Sequence, residues 1–396
     1  MGGPFRRLPA MLGMGRDVMR GRYPSFVTGR EPRNGELPPI FTFHATTHEI
    51  LDPVLAGLAR AGYRSLTCDE YLAAARGERA VDASKAVMLT FDDGHASVWS
   101  VVRPLLERYD MRAVVYLIPG RIQERRESDE DTGGARSLCP WPQIIELHET
   151  GRIDFQSHTL LHHRVFTDAR PRDFVRPELL GGHPHDLLLW DGPDPADREL
   201  PVRPSYPTPP FGSPVYGSLP RMLAERALHE DPEARRACVE RVEEAGGARF
   251  FESPGWRRTL AAVVRERQRR GHRRPRPETL RERDRALRAD LERARAMLER
   301  RLEGKRVRHL AWPWGVASDA AVAAARDAGY EACYWGRAEG GFTNFVGGDT
   351  MRLARIGEDF LARLPGSGQV SLRRLLLAKL RRRTPSTGGA PSVSRP

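Results

Sequence analysis

The sequence predicts an α/β fold built on a parallel sheet or barrel, and three observations carry that reading. Short apolar runs alternate with segments of helical period from about residue 40 to residue 166, and again beyond 280. One of those runs, Val87-Met88-Leu89, leads into Thr90-Phe91-Asp92-Asp93-Gly94. Two adjacent carboxylates and a glycine thus stand at the end of a buried strand, where α/β folds place their chemistry. Residues 167–280 break the rhythm, being dense in Pro, Gly, Arg and Asp, and read as an insertion on the catalytic face. An Asp-Gly surface turn is the plainer reading of 92–94, and a second cluster weighs against it.

That cluster is Phe155-Gln156-Ser157-His158-Thr159-Leu160-Leu161-His162-His163. His158 and His162 are spaced i, i+4, which brings two imidazoles onto one face of a helical turn. Two such histidines with one carboxylate make a three-ligand metal site that keeps a position open for water. An isolated His pair of this spacing is commonly incidental; its coupling to a strand-end Asp-Asp-Gly is what gives it weight.

In order, residues 1–36 are a basic, Gly- and Pro-containing lead-in. Phe41-Thr42-Phe43-His44 reads as the first strand, and Ile50, Leu51, Val54, Leu55 and Leu58 have helical spacing. Gly62-Tyr63 ends that helix and a strand follows. Ala96 to Tyr109 reads as helix, Met111 to Pro119 as a buried strand, Pro142 to Glu149 as helix, and Ile153-Asp154-Phe155 as a short strand entering the histidine cluster. In the insertion, Tyr206, Phe211, Tyr216, Phe250, Phe251 and Trp256 fit either a sugar- or lipid-stacking surface or a small core of their own. Leu287, Leu291, Ala294, Leu298 and Leu302 form one helical stripe. Strand and turn follow at Val307–Gly315, helix at Ala320–Ala328 and strand at Gly329–Trp335.

Thr90-Phe91-Asp92-Asp93-Gly94 and His158-Thr159-Leu160-Leu161-His162 resemble, in order and at every defining position, the first two signatures of the polysaccharide deacetylases (the NodB-homology domain, carbohydrate esterase family 4). The resemblance implies a distorted (β/α)7-type barrel with a large insertion. The barrel would occupy 37–166 and 281–362, with the insertion at 167–280 and a basic tail at 363–396. It implies that Asp92 is the catalytic base and that Asp93, His158 and His162 hold one divalent metal, most often zinc. The implied activity is removal of an N-acyl group, typically acetyl, from an amino sugar, free or carried on a glycan, nucleotide or polyprenyl lipid. A same-fold amidase of non-sugar C–N bonds and a non-catalytic carbohydrate-binding relative are the alternatives.

The family's third signature, Arg-Pro-Pro-Tyr/Trp, has two candidates. Arg203-Pro204-Ser205-Tyr206 matches more letters but lies in a proline-rich loop; Ala311-Trp312-Pro313-Trp314-Gly315 follows a strand and precedes a helix. Context favours the second, which places Pro313 and Trp314 at the substrate and oxyanion position. It also puts Ala311 where the family has the arginine that orients the base, and Arg355 is the candidate replacement. The family's C-terminal Leu-x-His, which supplies the general acid, is missing, since no histidine follows His309. His44, at the end of the first strand, is the candidate acid. His48, His95 and His163 are weaker ones.

Composition bounds the rest. At 396 residues and 40% hydrophobic content the chain can bury a large core. Four cysteines, widely spaced, form no knuckle or disulfide pattern and fit a reducing compartment. The basic start is broken by Pro9 and Gly13 and does not read as a signal peptide, and no stretch could span a bilayer, so the expectation is a cytoplasmic protein. Of the net charge of +12, eight positive charges lie beyond Asp359 with no acidic residue among them. There Leu372, Leu375, Leu376 and Leu380 share a helical face, so the tail could contact anionic lipid or pack on the barrel. No nucleic-acid motif accompanies the charge, and no nucleic-acid partner is expected.

Overall fold

A computed structural model describes residues 17–124 (except 19), 137–180, 209–270, 275–338, 341–366 and 370–375 (except 373). Strand β1 (Ile40–Phe43) leads into helix α1 (His48–Arg60), the short strand β2 (Arg64–Ser65), helix α2 (Cys68–Ala75) and strand β3 (Ala86–Asp93). A π-turn at Val98–Val102 and helix α3 (Arg103–Arg108) connect β3 to β4 (Ala113–Leu117); helix α4 (Trp141–Glu149) connects β4 to β5 (Ile153–Ser157). The main sheet holds nine strands, all paired in parallel, with central order β3, β4, β5 and then β10 (His309–Ala311) and β11 (Ala332–Trp335).

The barrel closes through one short segment. β12 (Leu353–Ala354) pairs with β11, β13 (Ile356–Gly357) pairs with β1, and Arg355 alone lies between them. With β2 a spur on the start of β3, seven strand positions circle the axis, as expected of a (β/α)7-type barrel.

Alternation along each strand divides the core in two. Val87, Leu89 and Phe91 face outward and pack with Leu51, Leu55 and Leu58 of α1 and with Leu105 and Leu106 of α3. Met88, Val114, Tyr116, Ala311 and Tyr334 face the barrel interior, and Tyr71 and Leu72 of α2 plug its lower end. The run from Ala86 to Asp93 is buried throughout because both of its faces are covered. Asp92 therefore ends the inward column that starts with Met88 and Thr90.

The insertion folds around its own small core. β6 (Arg164–Phe174) and β7 (Pro214–Pro220) form an antiparallel pair; β8 (Leu228–His229), helices α5 (Pro232–Glu244) and α6 (Trp256–Arg270), and β9 (Arg276–Pro277) follow. Phe174, Cys238, Val242, Phe250, Leu260 and Val264 are buried together, with Phe211, Phe251 and Trp256 packed on them. Tyr216 packs edge-on against Phe166 at 5.0 Å. These aromatics are core residues, not a stacking surface; Tyr206 lies outside the described residues. The insertion meets the barrel beyond the C-terminal ends of β5 and β10, where the Arg221 and Ser318 amides donate to the His163 and Met222 carbonyls.

Helix α7 (Leu280–Arg301), opened by a Thr279/Glu282 capping box, returns the chain to the barrel, and α8 (Asp319–Asp327) links β10 to β11. The described residues of the lead-in and of the tail both reach the core. Tyr23 and Val27 are buried, and Tyr23 stacks on Phe342 at 4.8 Å, because apolar side chains in the lead-in cover the outer face of the barrel. Leu375 is likewise buried in the main core, with Val370 and Leu372 against it. Leu376 and Leu380 lie outside the described residues.

Candidate active site

The site forms where β3, β5, β10 and the closing segment end. The Asp92 carboxylate is 4% exposed and accepts two bonds from Arg355, Nη1 to Oδ1 at 2.6 Å and Nη2 to Oδ2 at 2.9 Å. Arg355 Nη1 also reaches Thr90 Oγ1 at 3.4 Å, and the Thr90 hydroxyl donates to the Phe41 carbonyl. Burial pushes the Asp92 carboxyl up, but Arg355, with His158 and His44, outweighs it and holds the group below the ordinary carboxylate value. The arginine missing at Ala311 is thus replaced in space by one from the closing segment.

Asp93 turns away from Asp92. Its backbone is left-handed, φ 72°, followed by Gly94 at φ 79°, where a Cβ would stand 2.5 Å from Leu117 Cδ2. Asp93 Oδ1 lies 3.5 Å from His158 Nε2 and 3.8 Å from His162 Nε2. The spacing read as a helical turn is in fact a tight loop. Thr159 (φ 66°) and His162 (φ 49°) are left-handed, which a helix forbids, yet the loop brings the two rings to 4.9 Å between centroids. Of five non-glycine residues with positive φ among those described, Asp93, Thr159, His162 and Trp314 are at this site. Such strain persists where surrounding structure over-determines it, and it clusters at functional sites.

Three bonds hold the loop. Asp290 Oδ1, from the buried face of α7, accepts the Leu160 amide at 2.9 Å; the Gly120 amide donates to the Leu160 carbonyl; and the His162 amide donates to Thr159 Oγ1. His158 Nδ1 donates to the Ala311 carbonyl at 2.8 Å, which leaves the Nε2 lone pair facing Asp93. Ala311 therefore serves the site through its backbone.

The three donor atoms of Asp93, His158 and His162 lie within 4.8 Å of one another, and all three residues are buried. Ligands at about 2.1 Å in a tetrahedron are about 3.4 Å apart, so the two distances from Asp93 Oδ1 are close to those a divalent cation requires. Two imidazoles and a carboxylate are also the donor types that zinc takes in catalytic sites. The residues present fit such an ion.

His44 is a neighbour of Asp92. Its Nε2 lies 4.0 Å from Asp92 Oδ2, because β1 and β3 pair with Phe43 opposite Phe91. Its side chain is 61% exposed. Trp314, 38% exposed, lies over His162 with ring centroids 4.2 Å apart, and the Arg164 guanidinium is 5.6 Å from its ring. Pro313 is buried and opens the turn that carries it. His48 begins α1 on the surface. His163 is buried, and burial together with Arg221 and Arg121 pushes its pKa down to about 3. His95 is 3% exposed and faces Asp93. The alternative signature at 203–206 lies outside the described residues.

Asp290 was not anticipated. A signal exists: it sits three residues after Leu287 and one before Leu291, a carboxylate inside an apolar stripe.

Residues 80–179 match the sequence model of the polysaccharide deacetylases. Both motifs that carried the resemblance lie inside that segment, and the resemblance holds. A solved structure of a de-N-acetylase from Aggregatibacter actinomycetemcomitans is 17% identical over 85% of this chain and 98% of its own, with a TM-score of 0.51. The BpsB deacetylase domain from Bordetella bronchiseptica is 14% identical over 83% of this chain and 97% of its own, with a TM-score of 0.50. At these identities the likeness is one of fold: the barrel is that of polysaccharide deacetylases. No curated protein matches the sequence.

Proposed function

We propose that this protein is a divalent-metal-dependent N-deacetylase of an acetylated amino sugar, free or on a glycan or lipid carrier. The observation that carries the reading is the juxtaposition of an arginine-clamped carboxylate, Asp92, with a separate carboxylate–histidine–histidine cluster, Asp93, His158 and His162. A metal held by that cluster, most simply zinc, would polarise an acyl carbonyl and acidify water beside it. Asp92, kept ionised by Arg355, is placed to accept the proton of the attacking water. The Trp314 turn walls the site beside His162 and would orient the substrate, with its backbone N–H as an oxyanion donor. His44, the exposed histidine beside Asp92, would protonate the departing nitrogen. One water is consumed, and acetate and a free amine leave.

The family match supports the carbohydrate substrate, and retention of all four residues speaks against a non-catalytic relative. The four cysteines are buried and none is bridged to another, which supports a reducing compartment such as the cytoplasm. Among the described residues no helix is long and apolar enough to cross a membrane.

Acetate release from N-acetylglucosamine oligomers tests the proposal. Activity should vanish with a chelator and return with zinc. Asp92→Asn should keep the metal and lose roughly 100- to 10,000-fold in turnover, while Asp93→Asn should lose the metal itself. Equal metal loss in both variants would reject the division of roles. Release from acylated non-sugar amines but not from sugars would move the substrate class.

A further inference from the structure

We infer that His95 is a positioning residue for the metal site: its imidazole Nε2–H holds the outer oxygen of Asp93, so that Asp93 offers the metal a single oxygen, Oδ1. This inference rests on the metal-binding reading given above. The observation is the division of the Asp93 carboxylate. Oδ1 faces His158 Nε2 and His162 Nε2 at 3.5 and 3.8 Å, while Oδ2 lies 3.3 Å from His95 Nε2. With no cation between them, unlike Asp93 Oδ1 and the two ligand histidines, a nitrogen lone pair aimed at the carboxylate oxygen would repel it, so the proton is assigned to Nε2 and the contact is a hydrogen bond to an ionised acceptor.

His95 is built into place. Its carbonyl accepts the Val98 amide at 2.8 Å and the Cys139 thiol at 3.3 Å, and it pairs with Leu138 in a β-bridge. Both partners are nearly sealed from water, with side chains 4% and 7% exposed. The backbone bonds fix where the side chain starts and burial limits the ring's freedom, so the ring fixes the carboxylate's rotation. His95 also lies outside the group whose donor atoms converge, so it supports a ligand and is not a fourth one. In this geometry its Nε2 is turned to Asp93 Oδ2 and is not offered to a leaving group.

Groups that hold a metal ligand in place are typically worth about 10- to 100-fold in metal affinity. Glutamine at position 95 can put its amide nitrogen where the imidazole Nε2 stands; asparagine is too short to do so, and leucine carries no donor. The experiment is titration of the metal-stripped full-length chain with Zn2+ against a chromophoric chelator, repeated with Co2+ to read the ligand field. His95→Leu should bind Zn2+ about 10- to 100-fold more weakly, and its Co2+ spectrum should change as Asp93 rotates. His95→Gln should stay within a few-fold of the wild type. If His95→Leu does not fold, His95→Asn takes its place, and weak binding by Asn beside near-normal binding by Gln sustains the inference. Wild-type affinity in the Leu or Asn variant would overturn it, as would equal loss in Gln. Failure of the unmodified chain to bind Zn2+ would overturn the underlying metal reading, and that result is distinct because it appears before any substitution.

Discussion

Asp92 and Arg355 show how two buried charges set a reactivity. Either alone would be costly at 3–4% exposure; together, with two bonds between them, the carboxylate stays ionised below its usual range. Two consequences follow from the sign of that shift. A carboxyl whose folded pKa lies below its unfolded value adds stability above the unfolded pKa and loses it as pH falls through the folded one. The acid limb of kcat/KM should likewise lie below the ordinary carboxylate range. Arg355→Met removes the largest of the groups that oppose burial, so the limb should move to higher pH in a pH–rate profile, and about 3–5 kcal/mol of stability should be lost near neutrality. His44 is tested by its leaving group. His44→Ala should slow amide cleavage strongly and activated esters far less, with metal content unchanged, because an alkoxide or phenoxide of low basicity needs no proton to depart. Equal loss on both would make His44 structural.

Among the elements, the His158–His162 loop depends on a helix whose Asp290 lies 130 residues beyond Leu160. Asp290 accepts the Leu160 amide between the two histidines, and α7 is anchored by Leu287, Leu291 and Ala294 around it. Asp290→Leu should release a loop that holds two left-handed residues, lowering zinc affinity and costing about 1–3 kcal/mol for the orphaned amide. Asp290→Asn keeps an acceptor and should recover most of both, which calorimetric zinc titration and thermal unfolding would reveal. The closing segment is the other dependent element. β12 and β13 are two residues each, so pairing on either side of Arg355 is what aims that guanidinium inward.

The whole molecule is a barrel whose lower end is plugged by α2 and whose catalytic end carries the insertion. The described part of the basic tail is tied to this body through Leu375, 5% exposed in the main core. Leu375→Ala should therefore cost about 2 kcal/mol or more, read as a lower midpoint in denaturant. A tail that served only as a lipid contact would leave the midpoint unchanged.

The strand–helix rhythm, the strand-end carboxylates and the histidine pair were legible in the sequence because they depend on neighbours a few residues apart. Period-2 alternation buries Val87 and Leu89 on one side and sends Thr90 and Asp92 to the other. Gly94 marks the turn, and four residues separate His158 from His162 whatever the local conformation. His44 could be suspected because the barrel's first and last strands must meet. What the sequence could not supply is direction and long-range partnership. The loop at 158–162 is not helical because Asp290, Gly120 and Asp93 hold it otherwise. His44 stands beside Asp92 because register pairs Phe43 with Phe91. Tyr23 and Val27 lie in a lead-in for which no core was expected, and Leu375 in a tail that could have met lipid or the barrel; each is buried by a surface assembled from distant parts of the chain. Local periodicity determined which residues could do chemistry here; packing between residues hundreds of positions apart decided where each one points.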